Sequence, residues 1–147
     1  MSQQRTLSII KPDISKVSLI GEIINVLEKK GLKIVGIKMV QLTQDENDLV
    51  SFSASRFYQE HKEKPFFKEM VEFMCSAPVV VMCLEGKNAI QLNREIMGAT
   101  DPQMANTRTI RRIYGASIGA NAVHGSDSPQ AAEREINFFF KKEEIFS

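Results

Sequence analysis

The sequence predicts an α/β sandwich in which helices cover a small sheet. Short strand-like segments alternate with amphipathic helical stripes along the whole chain. No repeat, low-complexity tract or Pro/Gly/Ser-rich linker interrupts its 147 residues, so residues 1–147 are expected to form one domain. With 43% apolar and 25% charged residues, such a chain buries roughly 70% of its unfolded surface and needs no disulfide or structural metal.

Taken in order, Thr6 to Lys11 reads as a strand closed by Pro12-Asp13. Ile20, Ile23, Ile24 and Leu27 then fall at i, i+3, i+4 and i+7, and Lys29-Lys30-Gly31 supplies last-turn cations and a terminating glycine. That segment is an amphipathic helix. Leu32 to Gln41 alternates, placing Val35, Ile37 and Met39 on one packed face of a strand. From Thr43 to Tyr58 the pattern predicts a helix with loosely placed ends, anchored by Leu49, Val50, Phe52 and Phe57. Phe67, Met70, Val71 and Met74 form a further helical stripe, and Pro78 stops it before the strand Val79-Val80-Val81. Asn88 is positioned to cap a helix carrying Ala89, Leu92 and Ile96, which Gly98 ends. Residues 99–120 read as irregular. Ala122 to His124 is a short strand, and Ser128-Pro129 opens a last helix bearing Ala132, Ile136, Phe139 and Phe140. Phe138 points away from that stripe, as an interface or exposed aromatic would.

Nineteen basic against 18 acidic residues leave a formal charge of +1. That balance argues against a general nucleic-acid or membrane-surface binder, so any affinity for anions must be local. The longest apolar run, Val79 to Leu84, is too short to cross a bilayer, and the N-terminus lacks the pattern of a secretory signal. A cytoplasmic protein is expected. Cys75 and Cys83 read as buried thiols, since two cysteines without a nearby histidine do not make a zinc site.

The two histidines differ in their surroundings. His61 lies in the charged stretch Gln59 to Lys64 and reads as surface. His124 lies where a strand gives way to Gly125-Ser126-Asp127-Ser128 and then a helix, beside free N–H groups and a positive helix end that favour anions. An imidazole held there suits a nucleophile, although taken alone a histidine in that position is better read as a core or cap residue. Lys11, Arg94, Arg111 and Arg112 would form a phosphate clamp if they converged; spacing alone does not bring them together. A carboxylate on the last helix could orient the imidazole, and periodicity leaves Glu133 and Glu135 equally placed. The chain has no G-x-x-x-x-G-K-[ST], no strand-linked G-x-G-x-x-G and no G-x-S-x-G, so a nucleotide would have to bind by another route.

Asn121-Ala122-Val123-His124-Gly125-Ser126-Asp127-Ser128 resembles the N-x-x-H-G-S-D signature of nucleoside diphosphate kinases. The likeness extends over Arg5 to Asp13, Ile20-Gly21-Glu22-Ile23, Lys64-Pro65-Phe66-Phe67 and Gly98 to Pro102, in the family's order and over nearly the whole chain. It implies a ferredoxin-like sandwich with a four-stranded antiparallel sheet. It also implies ping-pong transfer of the γ-phosphate from a nucleoside triphosphate, usually ATP, to a nucleoside diphosphate. Matched residue by residue, His124 would carry the phosphoryl group, with Glu135 and Ser126 orienting it and Tyr58 beside it. Lys11, Arg94, Thr100 and Arg111 would hold phosphate and ribose, and Asn121 a ribose hydroxyl. Phe66 and Ile118 would sandwich the base, a stacking contact that accepts any base. Mg²⁺ would bridge the phosphates, touching protein mainly through water near Asp127. The resemblance further implies a homo-oligomer, a tetramer or hexamer built from dimers.

The chain departs from the family's pattern at several extra residues within Asn47 to Ser55, at Thr107-Arg108-Thr109 and at Arg112-Ile113. The alternative from another class is a non-catalytic nucleotide-sensing module, which would keep the cleft without turnover.

Overall fold

The structure, a computed structural model, describes residues 3–147. Its centre is a four-stranded sheet in the order β2-β3-β1-β4, built from β1 (Gln4–Ile10), β2 (Lys33–Val40), β3 (Val79–Gly86) and β4 (Val123–Gly125). Every neighbouring pair is antiparallel. Seven α-helices accompany it: α1 (Pro12–Ser15), α2 (Ile20–Lys29), α3 (Ala54–Phe57), α4 (Phe67–Met74), α5 (Ala89–Met97), α6 (Ile110–Tyr114) and α7 (Pro129–Phe139). This is the sandwich the sequence pattern predicts, with the antiparallel four-stranded sheet that the family resemblance implies.

Successive residues of a strand face opposite sides, and both sides of this sheet are covered. Leu7, Ile9, Val81 and Cys83 pack on Phe57, Val71, Met74, Ile136 and Phe139. Ile10, Val80, Met82 and Leu84 pack on Ile23 and Leu27 of α2 and Ile96 and Met97 of α5. Two-sided burial explains why Val79 to Leu84 is apolar without alternation. Among the described residues no helix is long and apolar enough to cross a membrane.

Five local expectations are corrected. In β2 the register shifts between Ile34 and Gly36, so Val35 is buried while Ile37 and Met39 stand 50% and 62% exposed. The stretch from Thr43 is not a helix until Ala54. Asp48 accepts backbone N–H groups from Val50 and Ser51 and the Thr43 hydroxyl, a loop that competes with helical pairing, and Leu49 and Val50 are exposed. Residues 99–120 contain α6, capped by Thr109 through the N–H of Arg112. Asn88 precedes α5 in the left-handed conformation, φ 53°, and its side chain makes no capping bond. Phe138 is half-buried against Phe52, Phe57 and Phe139.

Candidate active site

The short strand β4 fixes His124 opposite Ile9 of β1. Beyond it Ser128 accepts the N–H of Ala131 and Pro129 occupies the first turn, so α7 starts where the sequence signals it. Gly125 is dictated by clearance: a Cβ there would lie 2.5 Å from Asn93 Nδ2 and 2.8 Å from the Met97 side chain. Ala122, just before the strand, has φ 75° although it is not glycine.

A relay of hydrogen bonds orients the imidazole. The N–H of Leu7 donates to Ser126 Oγ at 3.2 Å, and that hydroxyl donates to Glu135 Oε1 at 2.8 Å. His124 Nε2 lies 2.9 Å from the same oxygen. Burial alone would raise the Glu135 carboxyl, but hydrogen bonding and charge interaction with His124, then Ser126 and Arg134, outweigh it and hold it below the ordinary value. An ionised carboxylate can only accept, so Nε2 carries the proton and Nδ1 keeps a free lone pair. Glu135 is buried and Glu133 exposed, which separates the two candidates the helical pattern left open. Phe57 and Tyr58 meet the imidazole edge-on, with ring centroids 5.6 Å and 6.3 Å away. Burial, with the nearby Glu135 charge, pushes the Tyr58 hydroxyl above its usual range and keeps it neutral.

Two of the cations, Lys11 and Arg111, gather at the start of β4. Lys11 Nζ donates to Asn121 Oδ1 at 2.7 Å, and Asn121 Nδ2 donates to the Thr100 carbonyl at 3.0 Å. Arg111 is buried, donating to the carbonyls of Gly98 at 3.0 Å and of Val123, next to His124, at 2.9 Å. Burial and then the charge of Arg111 push Lys11 down to about 8, against a smaller opposing effect from Asp13. Burial and then Arg94 push Arg111 down to about 10. Buried cations held this close to one another suit an anion between them. Arg94 and Thr100 are exposed and line a hollow of about 920 Å³ with Arg111, whereas Arg112 lies exposed and donates to the Gln103 carbonyl.

A second cleft, about 400 Å³, opens over His124 between Glu60-His61 and the start of α7, and Asp127 stands exposed on its wall. His61, read from sequence as mere surface, is half-buried there, 6.2 Å ring to ring from Phe66. Phe66 and Ile118 are 48% and 60% exposed. The structure also brings in residues the sequence did not single out: Arg134, bridging Glu60 at 3.2 Å and Glu135 at 3.7 Å, Phe57, and Asp13, which accepts the N–H of Ala122. Only the Arg-Glu pair at 134 and 135 offered a local signal, as a neighbouring cation on the same helix.

The sequence model of the nucleoside diphosphate kinase family matches residues 4–145. The chain belongs to that family. It is 53% identical over 145 residues to nucleoside diphosphate kinase 1 of Protochlamydia amoebophila, covering 99% of this chain and 98% of that protein. It is 52% identical over 147 residues to the nucleoside diphosphate kinase of Halorhodospira halophila, covering 100% and 99%. Its fold matches the Aquifex aeolicus nucleoside diphosphate kinase with a TM-score of 0.91 at 41% identity, over 98% of this chain and 99% of that one. It matches the Halobacterium salinarum enzyme in complex with CDP with the same TM-score at 42% identity, over 99% and 93%. The ferredoxin-like sandwich is therefore that of the nucleoside diphosphate kinases, and the chain is a phosphotransferase of this family.

Among the described residues no group of three His, Cys, Asp or Glu side chains could hold a metal by protein ligands alone. Mg²⁺ takes one or two carboxylates plus substrate phosphates, and the His124 cleft presents two exposed carboxylates, Asp127 and Glu60.

Proposed function

We propose that the chain moves a γ-phosphate from a nucleoside triphosphate, usually ATP, to a nucleoside diphosphate in two half-reactions through His124. The observation that carries this reading is the Leu7–Ser126–Glu135–His124 relay, which leaves Nδ1 as the free nucleophile. In the first half-reaction Nδ1 attacks the γ-phosphorus in line, an N–P bond forms, the β–γ bridging P–O bond breaks and the diphosphate departs. In the second, a terminal β-phosphate oxygen of another diphosphate attacks the phosphorus, the N–P bond breaks and neutral imidazole is restored. Glu135 stabilises positive charge developing on the ring, and Ser126 fixes Glu135. Lys11, Arg94, Thr100 and Arg111 hold the phosphates and spread their charge. Asn121 contacts a ribose hydroxyl, while Tyr58 walls the imidazole. Mg²⁺, when bound with the nucleotide near Asp127, neutralises phosphate charge.

Phe66 and Ile118 stack the base, and their exposure supports broad base use, since stacking without edge contacts accepts any base. The reading includes residues 1–147 acting as one domain in a homo-oligomer built from dimers. The exposed Ile37 and Met39 on edge strand β2 support an oligomeric partner there. The free thiols of Cys75 and Cys83 support a reducing, cytoplasmic setting. A nucleotide sensor without turnover is not favoured, because such a protein has no use for an oriented imidazole.

The test is label transfer from γ-labelled ATP. The protein takes up acid-labile, base-stable label, and His124→Ala lowers exchange at least about a thousandfold. Label retained by that variant overturns the reading.

A further inference from the structure

Ala122 is fully buried, carries a Cβ and sits at φ 75°, a conformation that costs a non-glycine residue free energy. Both of its backbone polar groups are gripped from one end of β1. Its N–H donates to Asp13 Oδ2 at 3.0 Å, and its carbonyl accepts the N–H of Lys11 at 2.9 Å. The residue before it, Asn121, meets Lys11 Nζ at 2.7 Å; two residues after it comes His124. The left-handed turn thus separates the phosphate side of the site from the nucleophile side.

Asp13 is expensive for the fold. Its other oxygen, Oδ1, is buried without a partner, and burial drives its carboxyl above the ordinary range even though the Ala122 N–H pulls it down. A buried carboxylate oxygen left without a hydrogen bond calls for an account beyond packing. The hydrogen bond it accepts from outside its own residue comes from the strained residue between Asn121 and His124.

We infer that Asp13 is a positioning residue for phosphoryl transfer, clasping Ala122 in the left-handed region so that Asn121 meets Lys11 and His124 enters the sheet. This rests on the phosphohistidine reading above. Asp13 touches no nucleotide; it acts through the backbone. Without the clasp Ala122 relaxes toward ordinary φ, and the Asn121 side chain swings off Lys11.

The test is exchange between ATP and a second diphosphate, with KM and kcat separated, on the full chain carrying Asp13→Ala, Asp13→Asn, Ala122→Gly and the Asp13→Ala/Ala122→Gly pair. Asp13→Ala raises the diphosphate KM about tenfold, with a smaller fall in kcat, because the binding side of the turn is released. Asp13→Asn keeps a carbonyl acceptor and stays within about twofold of the parent. Glycine adopts φ 75° unaided, so the double variant recovers most of the lost KM. Should Asp13→Ala fail to fold, Asp13→Glu, whose carboxylate is displaced by a methylene, is paired with Ala122→Gly in its place. An unchanged KM in Asp13→Ala, or no recovery with glycine, overturns the inference. Absence of label on His124 in the parent instead overturns the reading beneath it, and the two failures are distinguishable.

Discussion

The two halves of the cleft are built differently. Around His124 the buried side chains are held in place: Ser126, Glu135, Asn121 and Arg111 are hydrogen-bonded to one another or to backbone, although Arg111 Nε and Asp13 Oδ1 have no partner. On the rim, Phe66, Ile118, Arg94 and Thr100 are exposed. The inner half can meet a transferring phosphoryl group without reorganising, which is where preorganised electrostatics act most strongly. The rim offers apolar surface and charge without fixed directions, so under the proposed function it would accept different bases without demanding one. The contrast teaches that this protein invests order in what its substrates share and leaves what distinguishes them to loose contact.

The sharpest way to break the contrast is to disorder the inner half. Glu135→Gln keeps the side chain's size but removes its charge, and is expected to slow His124 phosphorylation about a hundredfold in a rapid-quench measurement with the diphosphate KM little changed. A fall confined to KM would mean that Glu135 serves binding. Next comes pH. Lys11 sits near 8 in the folded protein, so it goes from about half charged at pH 8 to about a tenth charged at pH 9, and kcat/KM falls up to about fivefold over that interval. For the nucleotide-free protein the sign reverses. Between about 8 and the ordinary Lys value of 10.5 the unfolded chain binds more protons at this group than the folded one, so Lys11 makes stability rise with pH. Thermal melts with and without diphosphate separate the two trends.

Ser126→Ala removes one link of the relay and leaves the Leu7 N–H without its acceptor; a loss of about 1–3 kcal/mol in stability and a several-fold slower phosphorylation are expected from melting and rapid quench. The smallest effect belongs to the rim. Phe66→Ala is expected to raise KM a few-fold by the same factor for adenine, guanine and pyrimidine diphosphates, with kcat unmoved. A base-dependent change would show that the rim discriminates after all.

Much of this architecture was legible in the chain. The stripes at Ile20 to Leu27, Phe67 to Met74 and Ala132 to Phe139 became helices, and the Ser128-Pro129 start was visible because capping is local. The loop from Thr43 to Ser53 was not, because Asp48 bonding to Thr43, Val50 and Ser51 defeats a weak helical pattern. Nor was the exposure of Ile37 and Met39, since one bulge at Val35 changes the phase of β2. In the candidate site His124 stood out by its setting, but the choice of Glu135 over Glu133 depends on Ser126 and a strand 119 positions away from it. The burial of Arg111 was not legible either, because the carbonyls of Gly98 and Val123 that accept its hydrogen bonds lie close to it only in the fold.

Gly125 carries one last consequence. At Leu49 or Val50, whose side chains face open solvent, random replacement leaves the packing undisturbed. At position 125 even alanine, the mildest step the genetic code allows from glycine, would press on the side chains of Asn93 and Met97 and force both to move. Laboratory selection for new acceptors should therefore leave this position untouched and gather its accepted changes along the rim.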